Sequence, residues 1–522
     1  MPRSILIVDP FARIWANSVL HQKLALSMSK IGYAPTIVRC NLAFSHFCLS
    51  MEYRGLKPSN SEIERINVCS ECVKDQLLID SKQNYNVRFI EKKTYINTDF
   101  NFDNLSITNP YVASHKRKNE YIALYETLIK FKKVNLEFNK EQMEYYKFQL
   151  RSVITSRESA QEILDEIDPI FIICISPQYS VSGAFAAAAY DRNIPIFFAE
   201  GSSSPVNKQN TIRIWDWERN GLVDPAMQFW ERNSNVSISF SSIFKARQHF
   251  RTIFKKQSYM VFSPKKIGEI PKFLDPKKET ILAVVSSSDE TYSAYAIGRY
   301  PESKYLSKVY KNQLVWIESL ITFVSKRNNT NLVIRVHPRD FTDTRNLLKS
   351  DSSHEWDKLL SKTPSNVFVD HPDDGISLYD YLKHVDVVTT GWSSVAIEAA
   401  YLGLPVITYD KNLPSFPLDI QFSGETETAY FENLINYKHL HNKWIQKRKA
   451  LRWIAYRDFE STYNLGGTLV EHYDLFGEHN LKRVIRRLIR IKPQFFKKMD
   501  TELQPKRKDI GRLRLFFETT LS

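Results

Sequence analysis

Short runs of consecutive apolar residues recur along the chain, each followed by a polar or glycine-bearing turn and then by a segment of helical period. The first run, Ile5-Leu6-Ile7-Val8, is the pattern of a strand covered on both faces. A helix is predicted from about 17 to 30, stopping before Gly32 in a C-cap position, and a second strand at 35–38. Strand, helix and strand in that order predict a parallel sheet. Residues from about 40 to 104 are polar and rich in Asn and Ser and read as an insertion. Residues 121–167 carry helical periodicity, with Leu124, Leu128, Ile129 and Phe131 among the apolar positions. The alternation resumes with an apolar strand at 169–175. Small residues at 183–189 suit a helix packed closely on a sheet, and a strand at 195–199 ends at Glu200-Gly201.

Pro264, Pro271 and Pro276, set among lysines, mark a linker. A second α/β series follows. It begins with a strand at 281–285 and the polar run Ser286-Ser287-Ser288-Asp289-Glu290, then a helix over 305–327 and a strand at 332–336 that ends at His337-Pro338. Strands at 367–369 and 385–388 flank a helix over 377–384. The loop 389–392 leads into a helix that Gly403 ends, before a last strand at 405–408. The pattern predicts an α/β protein of two Rossmann-type, doubly wound domains. The first spans 1–257 with an insertion over about 40–165, the linker 258–279, the second domain 280–480, and a C-terminal tail 481–522.

Composition narrows the function classes. A chain of 522 residues is too long for one core, and 43% hydrophobic with 25% charged residues is an ordinary globular balance. The apolar run at 5–8 is too short for a signal peptide, and no segment nears the roughly 20 apolar residues of a membrane span, so a cytoplasmic protein is expected. The formal charge of +14 asks for an anionic partner: nucleic acid, an anionic membrane or a phosphorylated substrate. The basic residues crowd the tail and no nucleic-acid module is recognisable, so nucleic acid is not the expected partner.

In an open parallel sheet, ligands bind at the carboxyl ends of the strands. Three polar clusters of the second half fall there: Ser286 to Glu290, including Ser287, Ser288 and Asp289; Arg335 with His337, Pro338 and Arg339; and Thr389 to Ser394. Gly391 allows a tight turn before Ser393 and Ser394, which stand at a helix N-terminus where unpaired N–H groups and the helix dipole favour an anion. Ser393 reads equally well as an N-cap. Glu398, about one turn into that helix, is placed to accept hydrogen bonds from ribose hydroxyls. His337, held by Pro338 at a strand mouth, can donate to a phosphate oxygen; a structural histidine is the alternative. Glu200 ends a first-domain strand and is a candidate general base, with Gly201 letting the chain turn and the acceptor approach. Asp9 ends the first strand in the same way.

The block LYDYLKHVDVVTTGWSSVAIEAAYLGLPVI resembles the donor-binding end of GT-B glycosyltransferases. Glu200-Gly201, His337-Pro338 and Ser393-Ser394 stand in the order of three short motifs of bacterial transferases that use CMP-activated acidic sugars, the sialyltransferases and the Kdo-transferring capsule enzymes. The resemblance covers about 280–410 well and the first domain loosely. It implies a GT-B-like fold with a cleft between the domains, Glu200 as base, and His337, Ser393 and Ser394 on the donor phosphate. It also implies a nucleotide-sugar donor such as CMP-Kdo or CMP-sialic acid, a surface polysaccharide or glycolipid acceptor, and no cofactor for catalysis. Two departures stand out: Ala199-Glu200-Gly201 has a single carboxylate, and the second domain also resembles relatives that use CDP-glycerol or UDP-sugars.

Two features lie outside this picture. Cys40 and Cys48 precede Cys69-Ser70-Glu71-Cys72, four thiols that could hold a structural zinc or remain reduced and unliganded. In the tail, Lys482, Arg483, Arg486, Arg487 and Arg490 alternate with aliphatic residues, and Phe495, Phe496, Phe516 and Phe517 follow. Such a segment suits the anionic inner face of a membrane, or a helix packed across the domains with a solvated basic face.

Overall fold

The computed structural model describes residues 2–11, 15–80, 85–91, 117–207, 210–255, 277–342, 348–466 and 507–521. Thirteen strands among these form two sheets. The first contains β1 (Arg3–Val8), β2 (Tyr33–Asn41), β3 (Asn86–Glu91), β4 (Ile172–Ile175), β5 (Ile196–Gly201) and β6 (Thr211–Asp216). The second contains β7 (Glu279–Val284), β8 (Thr330–Arg335), β9 (Val367–Asp370), β10 (Val387–Thr390), β11 (Val406–Thr408) and β12 (Phe422–Ser423); β13 (Tyr463–Asn464) returns to the first. The orders are β13-β6-β5-β4-β1-β2-β3 and β12-β11-β10-β7-β8-β9. The second sheet is parallel throughout; in the first, β6 and β13 run antiparallel to their neighbours.

The apolar runs are explained by two-sided burial. In the first sheet Ile5, Ile7, Ile173 and Phe197 face one core, while Leu6, Val8, Ile172 and Phe198 face another. In the second, Ile281, Ala283, Leu332 and Ile334 face one side and Leu282, Val284 and Val333 the other. Alternate side chains point to opposite faces of a strand, so a strand with helices on both sides has no polar alternation to show. The molecule is a GT-B-like arrangement of two Rossmann-type α/β domains with a cleft between them.

Several expectations are corrected. The stretch read as an insertion contributes β3, which pairs in parallel with β2 from Thr36↔Asn86 to Asn41↔Glu91. It is an edge strand in which Ile90 alone is buried, so its place depends on backbone hydrogen bonds rather than an apolar run. The helical segment 121–167 is three helices, Asn119–Ile122, Leu124–Phe131 and Lys140–Ile167, broken at Lys132, whose φ of 52° is left-handed. The helix expected over 377–384 is one turn, Leu378–Tyr381, and Gln313–Ser325 replaces the longer helix over 305–327. Gly201 does not turn the chain; it stays in β5, opposite Ile212.

Two sets of contacts cross the boundaries expected from the sequence. The helix Phe240–Phe254 belongs to a core with Leu282, Val284 and Trp453 of the second domain. After the helix Lys443–Ala455 the chain crosses back through a π-helical turn, Tyr456–Glu460, and β13 pairs antiparallel with β6 of the first sheet. The linker assignment and the basic residues 481–506 lie outside the described residues, apart from linker positions 277–279. The end of the tail is a helix, Arg507–Leu521, whose Leu513 and Phe517 are buried with Phe171 and Phe197. Phe516 packs against the same core, so these aromatics face the protein interior rather than a membrane. Among the described residues no helix is long and apolar enough to cross a membrane.

Candidate functional site

A cavity of about 320 Å3 lies between the domains, within the range of small-molecule sites. The second domain contributes Arg335, His337 and Pro338 from the end of β8, and Ser393, Ser394 and Glu398 from the turn after β10 and the helix Val395–Leu402. Six side chains singled out in the sequence therefore converge on one hollow. They do so because β7, β8 and β10 are adjacent parallel strands that all end on the same edge of the sheet.

The N–H of Ser393 is held by Thr390 Oγ1 at 3.2 Å and that of Val395 by Ser393 Oγ at 3.4 Å, which shapes the entry to the helix. Gly391 is needed for a different reason from the one expected: a Cβ there would stand 2.9 Å from the Tyr409 hydroxyl oxygen and 3.1 Å from the ring. His337 Nδ1 accepts the Arg339 N–H at 3.2 Å and caps the short 3-10 turn Pro338–Asp340. In the neutral ring this places the proton on Nε2, making that nitrogen a donor. Arg335 is ion-paired with buried Asp370 and also donates to the Ile376 carbonyl at 3.3 Å.

Glu398 is pushed by burial up to about 7, against a lowering contribution from the Tyr379 hydroxyl. Its Oε2 is buried without a hydrogen-bond partner among the described residues. An unpaired buried carboxylate oxygen is costly, and hydroxyl groups of a ligand would satisfy it. Phe250, Val284 and Ile397 form apolar walls.

Other predicted residues lie elsewhere. Ser287 donates to Asp289, and Asp289 is paired with Arg339 at 2.7 Å; Ser288 Oγ accepts from Gln313 at 3.0 Å. None of these four lines the cavity. Arg339 also donates to the Ile129 carbonyl at 2.7 Å and so bridges the domains. Glu200 is ion-paired with Arg213, which also pairs with Asp224. Burial raises Glu200, opposed by Arg213 and assisted by Asp224. Its carboxylate is not in the cavity lining, but the chain that follows it is, through Ser203 and Pro205. Asp9 is buried between Arg39 at 2.5 Å and His21 at 3.0 Å.

Four polar cavity residues were not singled out in the sequence: Ser203, His249, Tyr379 and Arg457. Ser203 donates to Asp458 at 2.6 Å and accepts from Arg457 at 2.8 Å, and His249 meets Ser204 at 3.1 Å. Burial holds His249 down at about 4, so it is neutral at physiological pH. Burial alone would raise Asp458; Arg457, His249 and Arg213 outweigh it and hold the carboxylate low. The polar run Ser202-Ser203-Ser204 after a strand end was a signal of the same kind as those used above; nothing local marks His249 or Arg457.

The four cysteines of the proposed zinc set line one small, apolar cavity of about 20 Å3 with Phe44 and Val68. All are free thiols. Burial pushes Cys40 up to about 12 and Cys69 to about 11. Among the described residues no group of three or more Cys, His, Asp or Glu is close enough to hold a metal ion, so the residues as placed do not fit zinc.

No family model and no curated protein sequence matches the chain. Solved structures do. The KpsC β-Kdo 2,4 transferase of Thermosulfurimonas dismutans is 12% identical over 59% of this chain and 88% of its own, with a TM-score of 0.35. The KpsC β-Kdo 2,7 transferase of the same organism is 12% identical over 66% and 98%, with a TM-score of 0.34. The UDP-GlcNAc 2-epimerase of Neisseria meningitidis, solved with UDP-GlcNAc, is 11% identical over 87% and 97%, with a TM-score of 0.29. These are distant similarities, and the fold assignment rests on the two sheets and their order.

Proposed function

We propose that the protein is a glycosyltransferase that takes a sugar from a nucleotide-activated donor held in the interdomain cavity. CMP-linked acidic sugars such as CMP-Kdo or CMP-sialic acid are the favoured donors, and a surface polysaccharide or glycolipid is the acceptor. The observation that carries this reading is the convergence of a histidine donor, an arginine, two helix-entry serines and an unpaired ribose-type acceptor, Glu398, in one cavity with apolar walls. In the proposed step an acceptor oxygen attacks the anomeric carbon as the bond to the donor phosphate oxygen breaks. The acceptor proton passes to Glu200, and the charge left on the phosphate is met by His337, Ser393, Ser394 and the helix dipole.

Thermal shifts with CMP, CDP, UDP and GDP across concentration series test the donor class. CMP should stabilise most, and His337→Ala should weaken its binding by roughly 10- to 100-fold while the unliganded melting temperature changes little. A CDP or UDP preference overturns the donor class, and no response to any nucleotide overturns the transferase reading. Glu200→Gln should retain the nucleotide shift and lose transfer; full activity in that variant removes Glu200 from the mechanism.

A further inference from the structure

A second cavity, of about 640 Å3, opens at the C-terminal ends of β1 and β4 and shares no lining residue with the first. Its wall contains His21, which is 1% exposed. His21 Nδ1 lies 3.0 Å from Asp9 Oδ1 without hydrogen-bond geometry, and Nε2 likewise has no hydrogen-bond partner among the described residues. A buried ring nitrogen left unpaired on the wall of a hollow of this size needs a polar ligand to satisfy it.

The charges around the cavity limit what that ligand can be. Asp9, Glu52 and Glu126 all line it. The nearby cations are already committed: Arg39 to Asp9 and Asp80, and Lys130 to Glu52 at 2.8 Å. Glu126 accepts the Ser180 N–H at 2.9 Å. Among the described residues an anion would face carboxylates with no uncommitted cation to meet it, whereas hydroxyl groups can donate to the carboxylates and pair with His21 Nε2. Phe11, Tyr53 and Tyr179 add aromatic surface against which the C–H face of a sugar ring can pack. Tyr179 meets the Tyr125 ring edge-on with centroids 5.3 Å apart, and Tyr125 packs on a cluster that joins Leu124 of the first domain to Tyr292 and Tyr295 of the second, so the cavity lies beside the contact between the domains.

We propose that this cavity binds a hydroxyl-rich sugar unit without acidic groups, neutral or amino-bearing, and that this unit is a part of the acceptor glycan beyond the reacting hydroxyl, with His21 Nε2 as its buried polar contact. The assignment as acceptor rests on the transferase reading above; the binding site itself does not.

Ligand-observed NMR titrations of the full chain with N-acetylglucosamine, glucosamine and glucuronic acid test it. The first two should bind and the third should not. His21→Gln should weaken binding of the two sugars at least about 10-fold while keeping the nucleotide-induced thermal shift, which shows that the variant is folded. Tyr53→Ala, at a residue 80% exposed, is the second variant and should weaken both sugars without affecting folding. Sugar binding unchanged in both variants, binding of glucuronic acid as tight as that of the neutral sugar, or a clear nucleotide shift with no sugar bound would each overturn the proposal. Sugar binding lost in His21→Gln in a protein that responds to no nucleotide would leave the cavity assigned and the transferase reading overturned.

Discussion

At the scale of single residues, two cavities each have a carboxylate kept out of water on their walls. Glu398 and Glu126 are both pushed up to about 7 by burial, on two different cavities. Glu126 gives a direct test. In the folded chain it holds its proton to about 7, and in the unfolded chain it loses it near the ordinary 4.5. The folded state thus binds more protons over that interval, and the stability cost of Glu126 grows as pH rises from 4.5 to 7 and is constant above. Glu126→Gln keeps a carbonyl for the Ser180 N–H and removes the ionisation. It should stabilise the protein by roughly 1–3 kcal/mol at pH 8, with the gain shrinking as pH falls towards 4.5. Denaturant unfolding at the two pH values measures it, and a gain independent of pH would show that ionisation is not the cause.

At the scale of elements, the site is made by strand ends and the turns that leave them. β8 ends in Arg335, and His337 then caps a 3-10 turn; β10 ends in Thr390, whose hydroxyl holds the Ser393 N–H. The close approach of Tyr409 to Gly391 fixes where this second turn runs. The motif Ser287-Ser288-Asp289 obeys the same strand-end rule and yet serves structure. Asp289, 1% exposed, pairs with Arg339, and Arg339 reaches the Ile129 carbonyl of the other domain. A strand-end position makes a polar cluster available to a ligand only if no neighbouring element has already taken its charges.

At the scale of the whole molecule, the domains are tied by buried contacts. Lys132, fully buried, donates from Nζ to the carbonyls of Phe341 at 2.8 Å and Leu348 at 2.6 Å, and Lys133 pairs with Asp351 at 2.9 Å. The chain also closes on itself: after building the second domain it returns, and the helix Arg507–Leu521 seals a face of the first. Phe517 stacks on Phe171 with ring centroids 4.6 Å apart and meets Phe197 edge-on at 5.1 Å. Phe517→Ala should cost about 3–5 kcal/mol, while Leu515→Ala, at a position 59% exposed on the same helix, should cost little. Equal, small effects in calorimetry would show that the helix is not part of the folded core.

What the sequence determined by itself is the class of fold and the polar residues that line the second-domain wall of the cavity. Two-sided burial leaves apolar runs, glycine closes helices, as at Gly32 and Gly403 with positive φ, and parallel strands bring their carboxyl ends to one edge. These are local consequences of composition, so Arg335, His337, Ser393, Ser394 and Glu398 could be read from order alone. Tertiary structure decided everything that depends on partners distant in the chain. β3 is held by backbone pairing that needs no apolar pattern. Glu200 is turned to Arg213, Asp9 to His21 and Arg39, and the tail aromatics to the first core. His249 and Arg457 reach the cavity from helices whose periodicity records only that one face is buried, and neither the face nor its partner can be named until the chain is folded.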